Sequence, residues 1–287
     1  MKVLSLFSGV GGFDMGLESA GMETVFQCEY DKHCLSVLER HWPNVPRWGD
    51  VSTLTGAYIL KHAPVIDVVA WGSPCQDLSV AGKREGLDGK QSNLFHEGIR
   101  IIKELRELTN GQYPRISIWE NVVGALTSNN GNDFGVILDE MAKAGALVIE
   151  WAIVDAQHWL PQRRRRVFVI AIFDAAIAAR CPNPLLPFAQ SMCRDTKETE
   201  IAAFYSTNGK QDTYKVGIAP TLKSVSVVCI IGKSFRPRKL TPVEHERLMG
   251  WPDNWTEGQA DTHRYKQCGN GVASPVAQWI GKQLINL

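Results

Sequence analysis

Four short segments carry side chains whose types and spacing could do chemistry. Trp71-Gly72-Ser73-Pro74-Cys75-Gln76 sets a thiol just past an apolar run, and a thiolate is a strong nucleophile wherever its surroundings favour it. Phe7-Ser8-Gly9-Val10-Gly11-Gly12-Phe13 follows the first apolar run. Glycines there let the backbone turn tightly and lie against a ligand, and at the end of a strand the usual ligand is a nucleotide-like cofactor. Glu29 follows Gly9 by 20 positions; an acid ending a second strand accepts hydrogen bonds from ribose hydroxyls. Tyr30, beside it, suits either stacking on an adenine ring or packing in the core. The full G-x-G-x-x-G spacing is absent, which leans away from a dinucleotide. Finally, Gln162-Arg163-Arg164-Arg165-Arg166 sets four guanidinium groups before an apolar run. In an extended chain, alternation sends Arg164 and Arg166 to one side and Arg163 and Arg165 to the other.

The elements that must position these groups follow from periodicity. Apolar runs at 3–7, 24–29, 67–71, 116–119, 148–154 and 167–173 read as strands, and segments 34–41, 94–108 and 134–144 have helical spacing. Their alternation predicts an α/β fold: a doubly wound, mostly parallel Rossmann-like sheet with helices on both faces. In such a sheet Cys75 and the glycine loop share the edge at the strands' carboxyl ends. The polar loop 76–93 could then close over a substrate. The alternation stops at 175–238, a stretch of prolines, polar residues and only short strand-like runs, which reads as a small irregular region built separately. Helical signals return at 241–249, with Thr241 as N-cap and proline at the first helical position, and again at 275–284. The expected organisation is a catalytic and cofactor-binding domain at 1–174, a distinct region at 175–238, and a segment 239–287 returning to the first domain.

Bulk properties narrow the classes. With 287 residues, 44% hydrophobic and 21% charged, the chain suits one large domain with an accessory piece. No apolar run reaches the roughly 20 residues of a membrane span, and the amino terminus reads as a first strand, not a signal peptide. Seven cysteines without C-x-x-C spacing argue against a disulfide framework and against a zinc cluster, and point to a reducing cytoplasm. The net charge of +1 conceals −6 over residues 1–150 and +7 over 151–287, a polarity suited to meeting phosphates with one face.

The segments Phe7-Ser8-Gly9-Val10-Gly11-Gly12, Pro74-Cys75-Gln76, Glu120-Asn121-Val122, Gln162-Arg163-Arg164-Arg165-Arg166 and Gln267-Cys268-Gly269-Asn270-Gly271-Val272 occur in that order. They resemble the motifs of bacterial and phage DNA (cytosine-5) methyltransferases, over nearly the whole chain outside 175–238. The resemblance implies methyl transfer from S-adenosylmethionine to C5 of a flipped cytosine in double-stranded DNA, with Cys75 adding to C6. It makes Glu120 the group at N3 and the exocyclic amine, Arg166 a contact to O2 and Arg164 a support of that pocket. It assigns Phe7, Gly9, Gly11, Gly12 and Pro74 to the cofactor site, Glu29 to ribose, Tyr30 and Asp50 to adenine, and Asn270 and Val272 to the pocket's other end. No metal is implied. Two departures stand out. Gly271 occupies a position where many relatives have serine, and the arginine run is not broken by an acid, which leaves Arg163 and Arg165 as phosphate contacts or solvated surface. The resemblance makes 175–238 the target-recognition region of a monomer working at the nucleoid, and leaves a cognate restriction endonuclease open. The Cys-Phe-Thr-x-x-Tyr signature of the tRNA-acting branch is absent. Intact Cys75, Glu120 and Arg166 argue against a binding protein that merely keeps the fold.

Overall fold

A computed structural model describes residues 1–74, 93–182, 184–186 and 239–287, and the strands within 203–238. Seven strands form one sheet: β1 (Lys2–Leu6), β2 (Glu23–Cys28), β3 (Arg47–Trp48), β4 (Val68–Trp71), β5 (Ile116–Val122), β6 (Val148–Asp155) and β7 (Arg165–Ile172), in the order β3-β2-β1-β4-β5-β7-β6. All neighbours pair in parallel except around β7, which runs antiparallel to both β5 and β6. The expected doubly wound, mostly parallel sheet is therefore present. Among its central strands β4 is buried along its whole length and β7 from Val167 onward, as a sheet covered on both faces requires.

Six described helices belong to the crossovers and the flank of the sheet: α1 (Gly12–Ser19), α2 (Lys32–His41), α3 (Gly56–His62), α4 (Asn93–Leu108), α5 (Asn132–Lys143) and α6 (Ala175–Arg180). Periodicity misses α1, α3 and α6, all of eight residues or fewer, and the later helix Asp261–Asn270. The first two strands end one residue sooner than their apolar runs, the first because Phe7 turns to φ 54°. The region read as irregular contains a sheet of its own among the described residues. Strands β8 (Ala203–Thr207), β9 (Asp212–Val216), β10 (Val228–Ile231) and β11 (Pro237–Lys239) pair antiparallel in the order β11-β10-β8-β9. The chain then returns through α7 (Pro242–Leu248), α8 (Asp261–Asn270) and α9 (Ser274–Leu284). Thr241 and Glu244 close a capping box at the start of α7. Helix α9 packs lengthwise on α1 and so brings the end of the chain against its beginning.

Under the loop between β1 and α1 lies a buried polar group. Asp14 accepts hydrogen bonds from Ser5 Oγ and Gln27 Nε2, each at 2.9 Å. Burial, only partly offset by these donors, pushes its carboxyl up to about 6. The folded chain therefore keeps this proton to higher pH than the unfolded chain, whose aspartates titrate near 4. The stability this contributes is complete below about pH 4 and is lost as pH rises through about 6. Asp14→Asn keeps the shape and can satisfy both neighbours. It should raise unfolding free energy at neutral pH by about 1–3 kcal/mol and flatten the pH dependence across that window. Urea unfolding of both proteins across the acid range checks this; parallel curves would count against it.

Candidate active site

The reversal of β7 assembles the polar centre. Because β7 runs against β5, its first residues lie beside the last of β5: Val122 pairs with Arg166 and Glu120 with Phe168. Glu120, Phe168 and Arg166 therefore share one face, and Arg166 Nε lies 3.2 Å from Glu120 Oε1. Glu120 is buried. Desolvation raises its carboxyl, while the Arg166 and Arg164 guanidinium groups pull the other way. Arg164, 2% exposed, donates from Nη2 to the carbonyls of Gly269 (3.0 Å) and Gly271 (2.6 Å). Its backbone N–H donates to Asp155 Oδ1 at 2.8 Å. Arg163 and Arg165 are exposed. The strand alternation expected for the arginine run is the one observed.

The end of β4 is tied to the same centre. Trp119 Nε1 donates to Ser73 Oγ at 3.3 Å and Asn121 Nδ2 to the Ser73 carbonyl at 3.2 Å. These bonds fix the chain leading to Pro74. Cys75 and loop 76–92 lie outside the described residues.

Beside this centre, the glycine loop leaves β1 through left-handed backbone at Phe7, Gly9 and Gly11. Glu29 closes the turn: Oε2 accepts from the Gly9 N–H at 2.7 Å and Oε1 from the Asp31 N–H at 2.8 Å. Burial raises this carboxyl and the two N–H groups counteract it. The C-terminal segment holds the loop from behind, where Trp255 Nε1 donates to the Val10 carbonyl at 2.8 Å and Ser274 Oγ to the Gly12 carbonyl at 3.0 Å.

A cavity of about 700 Å³ joins both halves, within the range of small-molecule sites. Phe7, Gly9, Glu29, Tyr30, Asp50, Pro74, Asn270 and Val272 line it together with Glu120, Arg164 and Arg166. Gly11 and Gly12 sit behind the wall, packed against Trp42 and the Val272 backbone. Tyr30 is 80% exposed, so core packing is not its role.

Sequence reasoning missed several positioning groups. Arg100, on α4, donates from Nη2 to the carbonyls of Val51 (2.9 Å) and Leu54 (3.0 Å), fixing the turn after Asp50. Lys266 reaches Asp31 at 3.1 Å across the rim. Both contacts are distant in sequence, and only the conspicuous charge at each position could have flagged them. Among the described residues no cluster of His, Cys, Asp or Glu could hold a metal ion, and no helix is long and apolar enough to cross a membrane.

The parallel sheet, the glycine loop and the cavity along its carboxyl edge define a methyltransferase fold. Solved structures agree on that fold: the Entamoeba histolytica methyltransferase EhMeth aligns with a TM-score of 0.72 at 16% identity, covering 100% of this chain and 98% of its own. The S. pombe Dnmt2 methyltransferase aligns with 0.69 at 16%, covering 100% and 99%. Sequence carries the comparison further. The C-5 cytosine-specific DNA methylase family matches residues 1–199 and 179–286, and the chain belongs to that family. It is 33% identical over 99% of its length to Type II methyltransferase M2.BsuMI of Bacillus subtilis, covering 75% of that protein. It is 28% identical over 98% to M.HhaI of Haemophilus parahaemolyticus, covering 93%. The protein is thus a DNA (cytosine-5) methyltransferase, with DNA as substrate and an S-adenosylmethionine-dependent reaction.

Arg164 joins the Glu120 centre to the 269–271 backbone, so Arg164→Lys, which keeps the charge but not the fork, should weaken S-adenosylmethionine binding by about 1–3 kcal/mol. Titration calorimetry measures this. Unchanged affinity with reduced turnover would confine Arg164 to the Glu120 side.

Proposed function

We propose that this enzyme binds S-adenosylmethionine along the glycine-loop half of the cavity and a cytosine, flipped from a specific double-stranded sequence, against Glu120 and Arg166. The supporting observation is the Glu120–Arg166 pair opening onto the cavity that Glu29 and Gly9 also line. The residues present fit the cofactor. Glu29 offers a carboxylate for ribose beside the loop, and a side chain at Gly9 would project into open space where the backbone can meet a ligand. Tyr30 and Asp50 would flank the adenine, and Asn270 and Val272 the methionyl end.

When bound, the cofactor supplies an electrophilic methyl group on a sulfonium. Cytosine C5 is a poor nucleophile until something adds at C6, and Cys75 is the proposed nucleophile. As negative charge enters the ring, Glu120 holds a proton at N3 while Arg166 stabilises O2. After C5 has taken the methyl, loss of its proton expels the thiolate. The target must leave the helix stack to reach these groups, at a cost of a few kcal/mol. Region 175–238 is the proposed reader of sequence, acting in a monomer.

Two tests separate the parts. Cys75 works as thiolate, which rising pH favours. Glu120 works protonated, and its raised pKa keeps that form to higher pH before it is lost. Turnover should therefore be bell-shaped in pH. Glu120→Gln should lower kcat by about 10²–10⁴ and abolish the alkaline limb that Glu120 sets; an alkaline limb surviving in the variant would assign that ionisation elsewhere. DNA carrying 5-fluorocytosine at the target should trap the protein, because fluorine cannot leave C5 as a cation. A denaturing gel should show a DNA-linked species that requires S-adenosylmethionine and vanishes in Cys75→Ser. Persistence of the adduct in that variant, or its formation on RNA alone, would overturn the nucleophile or the substrate.

A further inference from the structure

Gly271 follows α8 with φ −71° and ψ 169°, an extended conformation open to any residue. Backbone strain therefore does not demand glycine here. Space does: a Cβ at 271 would lie 2.6 Å from both Cη2 and Cζ2 of Trp251, inside contact distance, and 3.0 Å from the Gln267 carbonyl. The indole cannot swing aside at low cost, since Trp251 is 3% exposed and sits in the main core cluster. It is also anchored along the same edge, with Nε1 donating to the Val272 carbonyl at 3.2 Å. The carbonyls of 269, 271 and 272 are thus all taken, two by Arg164 and one by Trp251. With these carbonyls held by the two donors, residues 269–272 line the cavity as a fixed segment.

The end of the cavity this affects follows from the strand order. Glu29 and Asp50 stand after β2 and β3, on one side of β1; Glu120 and Arg166 stand on β5 and β7, on the other. Val272 borders a small recess together with Glu120, Arg164 and Arg166. It therefore belongs to the β5–β7 side, where the sulfonium and methionyl part falls if adenosine occupies the Glu29 side.

We propose that Trp251 is a positioning residue for the methionyl half of S-adenosylmethionine: its indole fixes Val272 and reserves position 271 for glycine. This rests on the cofactor placement proposed above. The test is a double-mutant cycle read by calorimetry with two ligands, S-adenosylmethionine and 5′-methylthioadenosine, which shares the adenosine half and lacks the amino-acid half. Gly271→Ala should weaken S-adenosylmethionine binding by about tenfold, as one displaced polar contact does, and leave 5′-methylthioadenosine within about twofold. Trp251→Phe, which lacks both the crowding atoms and the N–H, should show a smaller loss confined to the same ligand. The double variant should bind like Trp251→Phe alone, because the smaller ring admits the new methyl group. Thermal melts of each protein report folding independently. Additive losses, native affinity in Gly271→Ala, or equal weakening of both ligands would overturn the proposal, the last by reducing Trp251 to general packing. Failure of the unsubstituted protein to bind S-adenosylmethionine would instead remove the cofactor placement itself.

Discussion

Gly12 and Val272 touch backbone to backbone across almost the whole length of the chain. A Cβ on Gly12 would lie 2.5 Å from the Val272 carbonyl oxygen and 3.0 Å from its nitrogen, so the approach exists only because residue 12 has no side chain. The rest of the site depends on it. The glycine loop has one face toward the cavity and one toward the C-terminal segment, and the second is satisfied by donors from that segment: Trp255 to Val10 and Ser274 to Gly12. Trp255 is itself held by the His41 ring stacked on it at 3.4 Å, so α2 takes part in the same clamp. A loop with left-handed backbone at residues 7, 9 and 11 has a large entropy to lose on folding. Packing it between a buried Asp14 network and the last 40 or so residues is what removes that freedom before a ligand arrives.

The second organising constraint is topological. In a wholly parallel sheet every strand would begin at the edge away from the ligand, and an arginine run preceding a strand would be stranded there. Inserting β7 antiparallel between β5 and β6 moves its first residues to the active edge, opposite Val122. The turn from β6 is tight enough for Asp155 to accept the Arg164 N–H, and for Ala156 to donate to the Arg164 carbonyl at 3.0 Å. Arg164 thereby enters the core with its backbone already paired, and its guanidinium can be spent on the carbonyls of Gly269 and Gly271.

Much of this was legible in the chain because local pattern and global fold agree. The long apolar runs became strands, and their alternation with helical segments correctly implied a mostly parallel sheet. Glu29 and the glycine loop lie together, as a spacing of 20 residues suggests for consecutive strands. What escaped was carried by contacts that leave no periodic trace. Neither Arg100 nor Lys266 is assigned a contact by the sequence, yet one braces the turn after Asp50 and the other crosses the cavity rim. The two-residue β3 is too short to show alternation. The antiparallel sheet of 203–239 was hidden by short strands amid polar residues, where pairing between distant segments, not local propensity, decides the structure. The reversal of β7 is invisible for the same reason, since strand direction depends on partners and not on composition.

Burial also sorts the reactive groups near the cavity. Cys28 and Cys34 line it, and both thiols are raised: desolvation pushes Cys28 up to about 12 and Cys34 further, with the Glu29 carboxylate adding to each effect. A thiol so placed stays protonated at neutral pH and is no nucleophile. The same burial acts on Glu120, where the raised carboxyl shifts in the direction that its proposed proton-holding role requires. The guanidinium of Arg166 at 3.2 Å limits that rise. A fold that keeps its wall thiols neutral must draw a thiolate from a less desolvated stretch of chain. The segment after Pro74 suits this requirement in sequence, since Cys75 opens a stretch rich in glycine and polar residues.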